Sequence, residues 1–418
     1  MKDEADITNA QTLPSGNPAA YAWLVVCICA VMVAMAFGAI VNVAVFLTPL
    51  AVEFGWPRGD LALAYSVAAI GTGAGGILMG YVSDRIPVRG IALVGAVVPG
   101  VSLLMLSRLD SLSELYLYHA LMGFIGLGAI MAPMNRLASL WFSRNPGLAI
   151  GIVSAGGAFG QGVMPYFCRN LVLLQGWREA YVTMGIIFIA VLVPLALLLR
   201  DPPRMPLGGA SSGVADDNPY AISRPALLAL LCVAVVFCCL CMATPIVHVV
   251  TLGSDRGLGA RDAAGLLAVM MICGMAGRIV FGAVADRLGN LRAYIIASLG
   301  QTTLALWFPY MSTESALYWL SAVFGVFFSG AMTAFIACAR EYSPAGRTGL
   351  SIGLVLFFGW VGMALGGWQG GVFYDICGDY YQSFSNASIG GLVNLALLAL
   401  LYLYTVRWAR TSALATGA

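Results

Sequence analysis

The chain has 418 residues, of which 60% are hydrophobic and 10% charged. Soluble domains carry about 25% charged residues, so this composition excludes a soluble domain. The formal net charge of +2, with no basic tract, excludes a nucleic-acid-binding role.

In chain order, residues 1–20 come first. They are polar and acidic (Asp3, Glu4, Asp6) and read as a cytoplasmic tail rather than a cleavable signal. Apolar runs of roughly 20 residues, each enough to cross a bilayer core, then recur along the chain. They predict twelve membrane-spanning helices at 21–47, 61–82, 90–107, 113–135, 147–172, 179–199, 226–252, 263–285, 292–311, 315–338, 348–373 and 386–406. The Pro/Gly/Ser-rich stretch DPPRMPLGGASSGVADDNPYAISR, 201–224, separates six spans from six. The expected organisation is a six-helix bundle at 21–200, a cytoplasmic linker at 201–224, a second bundle at 225–407, and a short cytoplasmic tail at 408–418.

Lys and Arg set the orientation. With both ends inside, 14 cations fall in cytoplasmic segments and six outside; Arg278 alone falls within a span. All 19 acidic residues lie in loops or at span edges. The membrane interior therefore holds no expected carboxylate.

The two halves repeat at one offset, 202. Gly80, Asp84 and Arg85 map onto Gly282, Asp286 and Arg287; Gly147, Leu148, Ile150 and Gly151 map onto Gly349, Leu350, Ile352 and Gly353. A shared offset in two separate segments predicts two pseudo-symmetric bundles around a central path.

Arg278 is the sharpest candidate. It precedes Asp286 by eight residues, about 12 Å along a helix, which is near the middle of a ~30 Å core. An unpaired Arg there costs roughly 2.5–3.5 kcal/mol. A water-filled cavity relieves part of that cost and a bound anion completes it. The planar guanidinium presents two parallel donors to a carboxylate. The bland alternative is an Arg bonded to backbone carbonyls for packing.

His248 follows Pro245, which frees a carbonyl and loosens the outer end of its helix. It reads either as a proton carrier or substrate donor, or as an interfacial His without a role. Tyr118 and His119 in the fourth span, and Asn42 in the first, are candidate cavity groups. Gln161, Ser329, Thr333 and Gln369 read as helix-packing residues. Trp360 and Trp368 read either as cavity walls or as lipid-facing anchors. The glycine runs at 71–80 and 154–162 lack the strand and Lys of a phosphate loop, and read as close helix contacts. The ten cysteines, including Cys238, Cys239 and Cys241, lack zinc-like spacing. No metal or other cofactor is expected.

GYVSDRIPVRG at 80–90 and GAVADRLGNLR at 282–292 resemble the Gly-xxx-Asp-Arg-x-Gly loop of the major facilitator superfamily, with Pro87 where the first copy usually has Gly. The resemblance implies an all-α membrane protein of twelve helices in two six-helix bundles. Gly80, Asp84, Arg85, Arg89, Gly282, Asp286 and Arg287 are then expected to latch the cytoplasmic gate; the alternative is topology anchoring by positive charge alone. EFGWPRGDLALAYS at 53–66, WFSRNPGLAIGIVSAGGAFG at 141–160, GWREAY at 176–181, and the pair His248 and Arg278 resemble the monocarboxylate transporter branch and its bacterial relatives. Gly274 stands where animal members of that branch carry an Asp.

The resemblance implies a secondary transporter of the inner membrane. It would move a small organic anion, a monocarboxylate first among them, by proton coupling or, as in oxalate–formate exchangers, by anion exchange. The expected partners are the anion, protons and the bilayer, and a monomer suffices. The alternatives are an efflux pump for amphipathic compounds, disfavoured by the lack of an intramembrane acid, and a sensor with a borrowed transporter fold. No residue set points to an enzyme.

Overall fold

The computed structural model describes residues 18–142, 144–202 and 220–407. The expected tails at 1–17 and 408–418, and the linker over 203–219, lie outside the described residues.

The described chain is helical nearly throughout, as its apolar runs require: a backbone in hydrocarbon must satisfy its own hydrogen bonds. The helices are α1 (Pro18–Phe54), α2 (Arg58–Ser83), α3 (Val88–Leu106) and α4 (Leu112–Trp141). The helical run Pro146–Leu198 is turned at Gly176, whose φ of 81° suits a residue without a Cβ, and divides into α5 (146–175) and α6 (177–198). The second half comprises α7 (Arg224–Asp255), α8 (Ala260–Leu288), α9 (Asn290–Trp307), α10 (Glu314–Glu341), α11 (Thr348–Cys377) and α12 (Tyr381–Tyr402). Every predicted span corresponds to one helix.

Local chemistry sets several ends. The Ser111 hydroxyl accepts from Glu114 N, and the Glu114 carboxylate accepts from Asp110 N at 3.1 Å, tying off the start of α4. The Thr313 hydroxyl caps α10 through Ala316 N. Pro146 and Pro225 stand in the first turns of α5 and α7, where a missing N–H costs nothing. Within α4, Met122–Leu127 forms one π-helical turn.

Each half buries its own apolar core, α1–α6 around one and α7–α12 around the other. The repeat seen in sequence reappears in contacts: the Tyr116 hydroxyl donates to the Asp60 carbonyl, and Tyr318, 202 residues on, donates to that of Asp262, both at 2.9 Å. Trp141 Nε1 donates to the Arg200 carbonyl and Val88 N to Asp201 Oδ2. These bonds gather the start of α3 and the ends of α4 and α6 on one face, the face of the central linker.

Candidate functional site

The halves meet along two seams, α2 against α11 and α5 against α8. Near the linker face both seams close on glycine. A Cβ on Gly80 would overlap the Gly349 carbonyl, and a Cβ on Gly282 that of Gly147. This close approach brings each Asp to a helix N-terminus of the other half. Asp84 accepts from Gly349 N (2.9 Å) and Leu350 N (3.1 Å) of α11. Asp286 accepts from Gly147 N and Leu148 N of α5, both at 2.8 Å. Each carboxylate thus satisfies orphan first-turn donors and sits at the positive end of a helix dipole.

The cations expected to share this role lie elsewhere. Arg85 folds back over the Tyr81 ring (3.5 Å) and the Tyr81 carbonyl. Arg89 donates to the Leu197 carbonyl of its own half. Arg287 is exposed at the end of α8. Among the described residues the cation that pairs with Asp84 is Arg136 of α4, with Nε 2.8 Å from Asp84 and Nη1 3.9 Å from Asp201. Its sequence signal was weak, because it lies 52 residues from Asp84 in a helix end read simply as cytoplasmic charge.

About two turns deeper than Asp286, Arg278 lies on the α5–α8 seam, 2% exposed. One Nη donates to the Ser154 carbonyl of α5, across the seam; the other is 3.6 Å from Met332 Sδ of α10; Nε has no partner. Among the described residues no carboxylate pairs with it. Gly157 leaves it room, since a Cβ there would be 3.2 Å from Nη1. The carbonyl of the bland alternative is present but leaves Nε unsatisfied.

Arg278 forms part of the wall of a cavity of about 230 Å³ between the halves. Phe37, Tyr65, Gln161, Met332, Trp360 and Met363 are among its other walls. Arg278 is the one charged side chain among the described residues that line it. Sequence reasoning did not single out Tyr65, and set Gln161 aside as packing. Of the two tryptophans left open, Trp360 is a wall and Trp368 is 68% exposed.

The other candidates do not join this wall. His248 is buried against α11: Nε2 donates to the Gly367 carbonyl at 2.9 Å, and Nδ1 is 3.5 Å from the Tyr380 hydroxyl. Its neighbours Ile246 and Val247 line the cavity instead. His119 bonds the Leu115 carbonyl of its own helix through Nδ1 at 2.8 Å. Tyr118 is half-buried against the first bundle's core. Asn42 is 4% exposed with both amide atoms unpartnered, one residue from the wall residue Val41. Gln369 joins Thr244 (2.7 Å) and Asn386 (2.9 Å) in a network linking α7, α11 and α12. Ser329 and Thr333 are buried on α10 without partners.

On the face opposite the linker, two stretches remote in sequence converge. Glu53 accepts from Trp177 Nε1 (2.5 Å) and pairs with Arg178. Phe54 stacks on Trp56 with centroids 4.3 Å apart, and Arg178 lies over the Trp177 ring at 4.2 Å. The Arg178 and Trp177 hydrogen bonds hold the Glu53 carboxyl below its ordinary range. The motifs around 53–56 and 176–178 are one structural unit that joins α1 to α6.

The family model of the Major Facilitator Superfamily matches residues 26–367 and 237–413. An uncharacterised MFS-type transporter of Bacillus subtilis, YcxA, is 24% identical over 345 residues, covering 80% of this chain and 84% of that protein. Rat monocarboxylate transporter 13 is 26% identical, covering 87% and 85%. The fujikurins efflux protein of Gibberella fujikuroi is 25% identical, covering 67% and 60%. Among solved structures, the E. coli fucose:proton symporter FucP superposes with a TM-score of 0.71 at 14% identity, covering 91% of this chain and 99% of FucP; FucP in the outward conformation superposes equally well. Family match, repeat and two-bundle architecture agree: the chain belongs to the Major Facilitator Superfamily and is a multi-pass membrane transporter.

Proposed function

We propose that this transporter moves a small organic anion, a monocarboxylate first among them, across the cytoplasmic (inner) membrane by alternating access, with both ends of the chain in the cytoplasm. The observation that carries the reading is Arg278: a buried guanidinium on the wall of the central cavity, with an unsatisfied Nε and no carboxylate partner among the described residues. An anion supplies the counter-charge and bonds that the protein withholds.

The surrounding geometry supports the cycle. With the linker face cytoplasmic, the Asp84 and Asp286 contacts close the inner side, and the Arg278 cavity lies on the outer side of them. The conformation is then outward-facing. Substrate binds Arg278, the halves rock, and the Asp–helix contacts release.

Coupling follows from the same charge. Occlusion without an anion leaves a bare guanidinium, at roughly 2.5–3.5 kcal/mol, so the empty carrier reorients about a hundredfold more slowly than the loaded one. The reading is therefore an exchanger of anions first. Where a proton is carried, it rides on the acid itself, because His248 is bonded to α11 and stands off the cavity wall.

A second reading has its own support. The cavity wall is rich in Met and aromatic side chains, such as Met242, Met271, Met363, Phe328 and Phe335. Such a wall accommodates varied apolar groups, and one relative is an efflux protein. Uptake of radiolabelled lactate, pyruvate and oxalate into proteoliposomes separates the readings. Arg278→Lys should impair uptake through loss of the bidentate fork, and Arg278→Gln should abolish it. Full activity of Arg278→Gln, or export of uncharged amphipaths in its place, sinks the anion reading.

A further inference from the structure

The two seams between the halves are related by the offset of 202, yet they are filled differently. In the α2–α11 seam, Phe357 and Trp360 stand against Gly73, where a Cβ would lie 3.0 and 3.2 Å from the two rings. The corresponding residues of α5 are Ala155 and Ala158. Two aromatic rings are replaced by two methyl groups, and the α5–α8 seam is hollow where its counterpart is plugged.

The hollow adjoins a cavity on either side. The 450 Å³ cleft between α5 and α8 has Ala158, Gly162, Ala264 and Ala268 among its walls, and a Cβ on Gly162 would meet nothing within 4 Å. It shares Val41, Gln161, Leu267 and Met271 with the Arg278 cavity. Outward, it shares Phe159, Val163 and Met275 with a groove of about 330 Å³ on α1, α5 and α8, lined by apolar residues including Ala155. Phe159, Val163 and Ile272 are exposed apolar side chains on helices long and apolar enough to cross a membrane.

We propose that the α5–α8 seam is a side channel for the apolar chain of an amphipathic carboxylate whose head sits at Arg278. This rests on the reading of Arg278 as a carboxylate anchor and narrows the substrate class. The central cavity, at about 230 Å³, is smaller than the roughly 300–1,000 Å³ of pockets that enclose drug-sized ligands. It holds a small acid head. A longer chain needs adjoining space with apolar walls, and the seam provides it next to the Arg278 cavity, sharing Val41, Gln161, Leu267 and Met271 with it. An acid already partitioned into the bilayer reaches the guanidinium through this opening without leaving hydrocarbon.

The test uses the full-length protein in nanodiscs and straight-chain carboxylates from acetate to octanoate, with octanol as the uncharged control. Affinity is read by thermal shift. If the chain enters the seam, affinity rises up to about fourfold per methylene buried. Gly162→Leu and Ala268→Leu fill the cleft from opposite sides at open positions, and should each flatten this rise while leaving acetate binding unchanged. A flat series in the wild type, or a rise that persists in both variants, overturns the channel. The anchor is read separately. If Arg278→Gln removes binding of every acid while the wild-type series is flat, the anchor stands and the channel falls. If the rise survives Arg278→Gln and octanol matches octanoate, the seam binds chains but the carboxylate class is overturned.

Discussion

Asp286→Asn should open the linker face. In the structure the Asp286 carboxylate accepts two backbone N–H groups of α5, at Gly147 and Leu148, each at 2.8 Å. An amide retains one acceptor oxygen and turns an NH₂ toward the second N–H. One charge-assisted hydrogen bond is lost, about 1.5–3 kcal/mol, together with the interaction with the α5 dipole, about 0.3–1 kcal/mol at an exposed end. The partner contact at Asp84 is untouched, so the net shift is about 2–4 kcal/mol, or roughly 30–900-fold in the population open at the linker face. Asp286 is the cleaner target, because Asp84→Asn also strips a counter-charge from Arg136. Spin labels at Arg144 and Leu288, with the exposed Cys27 and Cys377 replaced by Ser, report the separation across this seam by double electron–electron resonance. The variant should show a second, longer distance population. An unchanged distribution, with folding intact, refutes the view that these two bonds hold the seam shut.

Further outcomes follow from the same geometry. Preloaded proteoliposomes should take up labelled anion about a hundredfold faster than empty ones, from the cost of a bare Arg278; equal rates contradict that origin of coupling. His248→Gln should leave carboxylate affinity within about twofold, because His248 bonds α11 rather than the cavity; a tenfold loss measured by thermal shift would return it to the site. Gly349→Leu should prevent closure at the linker face, since even a Cβ there overlaps the Gly80 carbonyl, and the same resonance measurement should find the open distance dominant. Glu53 gives a pH dependence: its carboxyl is held below the ordinary 4.5 by Arg178 and then Trp177, so its contribution to stability is complete above that value and is lost as pH falls below it. The melting temperature of Glu53→Gln should therefore fall short of the wild type at pH 7 and converge with it as pH falls below 4.5.

Much of the fold was legible because hydrocarbon leaves few options. Twelve apolar runs became twelve helices, and the constant offset of 202 located both inter-bundle aspartates before any contact was visible. The facing of individual side chains was not legible. α7 is apolar around its whole circumference, so no stripe told whether His248 or its neighbour Val247 faced the centre. Arg136 and Asp84 are brought together by the packing of α4 on α2, which periodicity does not encode. Tyr65 lies in the first half of α2 and Gln161 in a glycine run, and neither has a local signature of a cavity wall. Arg278 was conspicuous because its charge is expensive at its depth, an argument that needs no knowledge of which way the helix turns.

The central claim is that a substrate carboxylate completes the bonding of Arg278, and a carbon–nitrogen distance tests it most directly. With ¹⁵N-labelled arginine in the protein and ¹³C-labelled carboxylate in lactate or octanoate, rotational-echo double resonance should place a guanidinium nitrogen in hydrogen-bonding contact with the carboxylate. That signal should vanish in Arg278→Lys. Contact that persists in that variant, or its absence from the wild type under saturating substrate, contradicts the account.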